Sequence, residues 1–268
     1  MRKNAWVICC CTAVLAAFGT FFRWLQDQVC FEAETGLAVR GSIWPYAVAL
    51  MIVIAAVVLA VVCFRMKNQP HTSFPDSLPA AFAAAPRVRT IGGIVLGALL
   101  AVGGAWLMIS SGTLSSPGLQ RMLAVLAIVT GAAFARQMLA PGDAEVTSGA
   151  VVCASMPIVL LAFWLIVSYK VNIINPTISA YAVEILALCA ALIAFYQLAG
   201  FAYGRPKAIK SIFWSQFAAF LCITALPDDR AGGQQLMLAA IAGILVFQSY
   251  LTASNIRPAV SGPVGGVQ

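Results

Sequence analysis

Eight apolar stretches, each about as long as a membrane crossing, fill almost the whole chain and are separated by short polar segments. A helix needs about 20 mostly apolar residues to cross a hydrocarbon core of about 30 Å. Only 9% of the 268 residues are charged, against about 25% in a typical soluble domain. Runs such as AVALMIVIAAVVLAVV lack the alternation of barrel strands. The sequence therefore predicts an all-α, polytopic transmembrane helix bundle.

The bundle forms a single membrane domain of about eight spans. The predicted spans cover residues 5–25, 43–64, 91–109, 119–139, 151–169, 177–203, 211–226 and 234–253. Turn sequences such as SSPG, PGD, GRPK and PDDRAGG separate them. The first span resembles a signal peptide, but its apolar run continues without a clear cleavage site, so we expect a retained signal anchor.

The distribution of basic residues predicts the orientation, because cytoplasmic loops are enriched in Lys and Arg. With the N-terminus inside, eleven of the 16 basic residues lie on the inner side and five on the outer side. The outer five are Arg23, Arg40, Arg121, Lys170 and Arg230. We therefore expect an N-in, C-in protein whose net charge of +7 lies next to anionic headgroups. A nucleic-acid partner is not expected, because the chain has no basic folded domain outside the bilayer.

Two loops are longer than simple turns. The inner loop, residues 65–90, is proline-rich, and Ser77 can cap a brief helix lying at the membrane interface. The alternative for this loop is a disordered linker. The outer loop contains Thr35-Gly36 between strand-like residues and predicts a small hairpin over the outer mouth.

Motifs of known catalytic chemistry are missing from the sequence. The only histidine is His71, and there is no HExxH, GxSxG or GxxxxGK[ST] motif. Seven of the eight cysteines fall within spans, where cysteine behaves as a small apolar residue. These features argue against an enzyme, and we expect neither a metal site nor a cofactor.

Glu184 is the most notable polar residue inside a span. It lies about 10 Å below the outer end of the sixth span, where a carboxylate must be paired, solvated or protonated. Tyr181 is one helical turn away, and Arg121 is the expected cationic partner, since Arg23 and Lys170 lie closer to the outer surface. The site is either a proton, cation or ligand site or a structural ion pair.

A second polar layer is predicted near the inner side. Gln197 and Gln216 are symmetric about the GRPK turn and should meet at similar depth, with Gln248 and Arg136 nearby. Hydrogen bonds between helices are the favoured interpretation, and a solvated inner vestibule is the alternative.

The third span carries small residues at helical spacing, which favour close helix packing. They are Gly93, Gly97, Ala101 and Gly104. This stripe can serve a contact within the chain or a homo-oligomer.

Three segments carry a resemblance to other proteins: FEAETGL, RGSIWP and AGFAYGRPK. With them, the chain resembles an uncharacterised group of multipass membrane proteins from anaerobic Gram-positive bacteria. The resemblance implies a bacterial plasma membrane and no particular activity.

Two classes of function remain. The first is a small-solute or ion transporter, or the membrane subunit of one, with Glu184 and the glutamines as polar stations for a solute or proton. The second is a non-catalytic membrane sensor, scaffold or assembly factor, in which the same groups only tie helices together. A continuous polar cavity at Glu184 favours the first class, and dry packing favours the second.

Overall fold

The computed structural model describes residues 2–30, 42–68, 72–83, 85–114, 116–139, 147–173 and 178–258, so the predicted hairpin at Thr35-Gly36 lies outside the described residues. The helices are α1 (Arg2–Val29), α2 (Trp44–Lys67), α3 (Leu78–Ala81), α4 (Pro86–Ser110), α5 (Pro117–Leu139), α6 (Ser148–Asn172), α7 (Ile178–Ala202), α8 (Ala208–Thr224) and α9 (Gly232–Ser254). A 3-10 turn, Ser111–Thr113, follows α4. Two short strands, β1 (Thr72–Ser73) and β2 (Arg257–Pro258), pair antiparallel.

Seven of the described helices are long and apolar enough to cross a membrane. The protein is therefore an integral multipass membrane protein, and the predicted all-α bundle is confirmed. Prolines stand in the first turns of α2, α4 and α5. The first turn of a helix accepts proline because its backbone N–H groups have no partner within the helix.

The remaining long helix, α8, corresponds to the predicted seventh span and has 17 residues. At 1.5 Å per residue it covers about 26 Å. It packs beside α1, because Gln216 in the middle of α8 contacts Cys9 and Asp228 just past its end contacts Arg23. The eighth crossing, through α8, therefore stays a prediction.

The start of α1 and the end of α9 lie at the same end of the bundle. Trp6 of α1 packs edge-to-face against Tyr250 of α9 with ring centroids 5.7 Å apart. The pairing of β1 with β2 joins the α2–α3 connection to the segment after α9. We call this the basic end, because its described helix ends and turns carry Arg65, Lys67, Arg87, Arg89, Arg136, Arg205, Lys207 and Lys210. We call the opposite end, where Glu184 and Arg230 form an ion pair, the ion-pair end.

Six helices, α4 to α9, contact one another in a closed circuit, with α9 returning to α4. The helices α1 and α2 pack on the outside of this circuit, against α8. Its centre is filled by apolar side chains around a void of about 10 Å³. We call this layer the apolar plug; it is formed by Leu100, Thr130, Phe134, Pro157, Leu160, Leu161, Phe195, Ile241 and Ile244.

The small-residue stripe of α4 packs against α5. A Cβ atom built on Gly97 would lie 2.5 Å from the carbonyl oxygen of Gly131, and one on Gly104 would lie 2.7 Å from that of Ala124. Gly93 faces Met138 in the same interface. Of the two contacts left open by the sequence, this face makes the one within the chain.

The inner loop forms a short helix that is inserted into the basic end. The hydroxyl of Ser77 accepts a hydrogen bond from the Ala80 N–H at 3.4 Å, so the predicted capped helix is confirmed. Ala81 and Phe82 are buried, and Asn255 Nδ2 of the α9 cap donates to the Ala81 carbonyl at 2.7 Å. The segment therefore packs against the basic end of the bundle, and its position at the membrane interface stays a prediction.

Candidate functional site

Glu184 lies on α7 at the ion-pair end, and its carboxylate is held from two sides. Ser168 Oγ of α6 donates a hydrogen bond to Oε1 at 2.9 Å. The Arg230 Nη2 atom, in the turn between α8 and α9, lies 3.6 Å from Oε2. The Glu184 side chain is 12% exposed. A carboxylate this deep in an apolar helix needs such compensation.

The cationic partner of Glu184 is thus Arg230 and not the expected Arg121. Arg121 Nε donates to Ser111 Oγ at 3.3 Å, which ties α5 to the turn after α4. Arg230 reaches Glu184 because the α8–α9 turn lies over the end of α7. Tyr181 lines the same cavity as Glu184.

Arg230 also belongs to a chain of ion pairs that links three segments. Its Nη2 atom lies 2.7 Å from Oδ2 of Asp228. The other oxygen of Asp228 accepts a hydrogen bond from Arg23 Nε of α1 at 2.6 Å. Arg23 also contacts Gln26 at 3.0 Å and Asp27 at 3.8 Å. The cluster therefore joins α1, α7 and the α8–α9 turn.

The cluster is buried, and its charges do not balance. Arg23 is 1% exposed, and the side chains of Arg230 and Asp228 are 6% and 8% exposed. Among the described residues of the cluster, three carboxylates (Asp27, Asp228 and Glu184) stand against two guanidinium groups, which leaves one negative charge when all are ionised. Charges interact more strongly at such sites than in water, where the dielectric constant is higher.

A cavity of about 440 Å³ opens next to this cluster. We call it the ion-pair cavity; its lining includes Arg23, Asp27, Asn172, Tyr181, Glu184 and Arg230. Asp229, which is exposed, also lines it and adds a further carboxylate. The volume is in the range of cavities that hold small-molecule ligands, about 300–1,000 Å³.

The apolar plug lies inside the circuit and is formed by side chains of α4, α5, α6, α7 and α9. Its void of about 10 Å³ is at the lower limit for one water molecule. Eight of its nine lining residues are apolar, and the Oγ1 atom of Thr130, the exception, has no partner among the described residues.

The three predicted inner glutamines do not all point into the same part of the bundle. Gln216 is fully buried, and its Nε2 atom donates to Ser249 Oγ of α9 and to Cys9 Sγ of α1. Gln248 is buried as well, and the Oε1 atoms of both residues have no hydrogen-bond partner among the described residues. Gln197 is half-buried and lines a separate groove between α6 and α7.

Arg136, the fourth expected member of that layer, lies at the end of α5, with its guanidinium against Gly149 at the start of α6. Symmetry about the GRPK turn sets the depth of Gln197 and Gln216 but not the direction in which each side chain points. The structure shows one of them joining α1, α8 and α9 and the other facing the side of the bundle.

Three members of the buried cluster were not candidates from the sequence. Asp228 and Arg230 lie in PDDRAGG, which has the composition of a solvated turn. Arg23 was expected nearer the outer surface, yet it is buried. The available signal was the excess of acidic residues in the turn that follows the shortest predicted span, since a short span draws its flanking residues toward the bilayer.

Comparisons of the chain with protein-family models, with curated proteins and with solved structures found no match. The function is therefore argued from the geometry of the cluster and its cavity.

Proposed function

We propose that the protein is a transporter of a small solute or ion, or the membrane subunit of one. The observation that carries the proposal is the buried ion-pair cluster, with one carboxylate in excess, on the wall of a cavity of about 440 Å³. A purely structural cluster has no need of a cavity of ligand size or of an unbalanced charge. Both features favour a site that takes up a proton or a cationic group from the solution.

Glu184 is the member of the cluster best placed to exchange its charge. Arg230 lies 3.6 Å from Glu184 but only 2.7 Å from Asp228. When Glu184 is protonated or binds a cation, Arg230 therefore keeps its closer carboxylate and is not left unpaired. Loss of the Asp228 contact would instead leave two guanidinium groups with weaker partners. Glu184 is thus the carboxylate that exchanges a proton or a cation, and Asp228 is the carboxylate that keeps its ion pairs.

The apolar plug is the closed barrier of this transport path. Transport requires that the barrier opens while the ion-pair cavity closes. Pro157 lies in the plug in the middle of α6, where proline removes one backbone hydrogen bond and weakens the helix. This position is where α6 bends most readily, and α6 also carries Ser168, which binds Glu184.

The proposal includes a location and a direction. The concentration of Lys and Arg at the basic end supports placing that end in the cytoplasm, so that the ion-pair cavity opens to the outside. The resemblance carried by FEAETGL and AGFAYGRPK supports the plasma membrane of a bacterium as the location.

The test uses purified protein reconstituted into liposomes that contain a fluorescent pH dye. A negative internal potential is imposed, and acidification is followed with and without a defined pool of L-amino acids and polyamines outside. We expect wild-type protein to acidify the lumen and Glu184→Gln to abolish the signal. Asp76→Asn, which removes an exposed carboxylate outside the ion-pair cavity, is the matched control and should retain it. Equal signals from wild type, Glu184→Gln and empty liposomes in every condition would refute transport.

The second candidate is a non-catalytic sensor, scaffold or assembly factor, which the dry apolar plug favours. In that case the cluster serves only to hold α1 against α7 and the α8–α9 turn. Glu184→Gln would then lower the melting temperature of the protein. No Glu184-dependent flux would be seen under any condition of the liposome assay.

A further inference from the structure

A second, independent cavity lies at the basic end, on the side of the bundle between α6 and α7. It has a volume of about 650 Å³. We call it the lateral groove; its lining includes Ser155, Val159, Gln197, Tyr203, Arg205 and Lys207. It shares no lining residue with the ion-pair cavity. An inference about the lateral groove therefore does not depend on the transport proposal.

The two cations of the lateral groove are held by a rigid turn. Gly204 has φ +68°, a conformation that favours glycine, and the Arg205 N–H donates to the Gly200 carbonyl at 2.8 Å. This bond is the 6→1 bond of a Schellman motif, which ends α7 at a defined residue. Pro206 follows, and α8 begins directly after Lys207 with no described side chain capping its first N–H groups. An uncapped helix N-terminus adds positive potential beside the two side chains.

The chemistry of the lateral groove changes with depth. Arg205 and Lys207 are exposed at the rim. Ser155 lies about 10 Å inside the start of α6, at 1.5 Å per residue, and its hydroxyl is 3.1 Å from the Tyr203 hydroxyl. Val159 lies one turn deeper and is exposed on the side of the bundle.

From this order we infer that the lateral groove is a binding site for an anionic phospholipid. The phosphate lies between Arg205 and Lys207 at the rim, and the Ser155 and Tyr203 hydroxyls face the ester region. The first part of an acyl chain lies along Val159 and the neighbouring Ile158. Basic pockets between transmembrane helices bind anionic headgroups in this way. A water-soluble anion would leave the apolar part of the groove uncovered, so the lipid is the occupant with the better fit.

The experiment measures phospholipid binding to the detergent-purified full chain by native mass spectrometry, with phosphatidylglycerol and phosphatidylcholine titrated separately. We expect the double variant Arg205→Gln/Lys207→Gln to weaken phosphatidylglycerol binding roughly 30-fold, because each basic residue near a membrane surface contributes about a 5-fold gain. The control is Arg65→Gln/Lys67→Gln, which removes two cations with the same spacing from the last turn of α2 at the same end. It should retain wild-type affinity.

A third variant, Val159→Trp, fills the apolar part of the lateral groove without changing its charge. It should lower phosphatidylglycerol binding as well, and the melting temperature of each variant without added lipid shows whether the fold is intact. Equal losses in the two double variants would show diffuse surface attraction and overturn the inference. Competition by glycerol phosphate at equal concentration, or full binding to the Val159→Trp variant, would also overturn it, because the site would then recognise a soluble phosphate.

Discussion

Asp228 is the residue whose loss should damage the fold most among the members of the buried cluster. Its two carboxylate oxygens lie 2.6 Å from Arg23 Nε and 2.7 Å from Arg230 Nη2. In the Asp228→Asn variant one oxygen remains, and the new NH₂ group faces a guanidinium group that cannot accept a hydrogen bond. Breaking a buried ion pair by removing one partner costs about 3–5 kcal/mol. The buried Arg23 supports this range without a discount for solvent screening.

The change should be measured as thermal unfolding of the purified protein in detergent. For a chain of this size, about 3–5 kcal/mol corresponds to a fall in melting temperature of roughly 6–20 °C. Asp229→Asn, one residue along the chain and exposed, is the control and should melt with the wild type. Adding Arg23→Gln to the Asp228→Asn variant should cost less than Arg23→Gln does alone, because the two residues act as a unit. A melting temperature of Asp228→Asn equal to that of the control would refute this account of the cluster.

Three further outcomes follow from the packing and the topology. Gly104→Ala should lower the melting temperature by a few degrees, because its Cβ would lie 2.7 Å from a backbone oxygen. Gly118→Ala, with no atom within 4 Å of its new Cβ, should leave the melting temperature equal or raised. Gln216→Leu should lower it by a few degrees, because the change removes the hydrogen bonds that Nε2 donates to Ser249 and Cys9; an unchanged melting temperature would contradict this. In intact cells a membrane-impermeant maleimide should label Asp229→Cys and not Lys207→Cys, and the reverse pattern would invert the orientation.

The spans could be predicted because their signal is local. A run of apolar residues about 20 long has to be helical in a bilayer, whatever surrounds it. The stripe from Gly93 to Gly104 likewise predicts a close helix contact from its spacing alone. Its partner, α5, could not be read from the sequence, because a small-residue face is equally compatible with a neighbouring helix of the same chain and with a second copy. The buried position of Phe82 also depends on packing, since the apolar patch around it suits an interface equally well.

In the candidate site, too, some features follow from the local sequence and others only from the packing of the helices. Glu184 is evident from the sequence because a carboxylate in an apolar span is costly wherever the span packs. The identity of its partner depends on which turn lies over α7, and this placement follows from the tertiary contacts of α8 with α1 and α9. Asp228 and Arg230 therefore looked like ordinary turn residues. Gln197 shows which part of a side chain's position the sequence predicts. Its depth in the bundle follows from its distance to the GRPK turn, but the direction in which its side chain points depends on how the helices pack.

The contacts of α8 with α1 and α2 have a consequence for how the protein is synthesised. Arg23 precedes its partner Asp228 by 205 positions. At about 5–20 residues per second, the ribosome needs roughly 10–40 s to synthesise that interval. During this time α1 and α2 are in the membrane without the helix against which they dock, and Arg23 lacks its strongest partner. A nascent chain that stops before α8 therefore carries an α1–α2 hairpin whose docking surface on α8 has not yet been made.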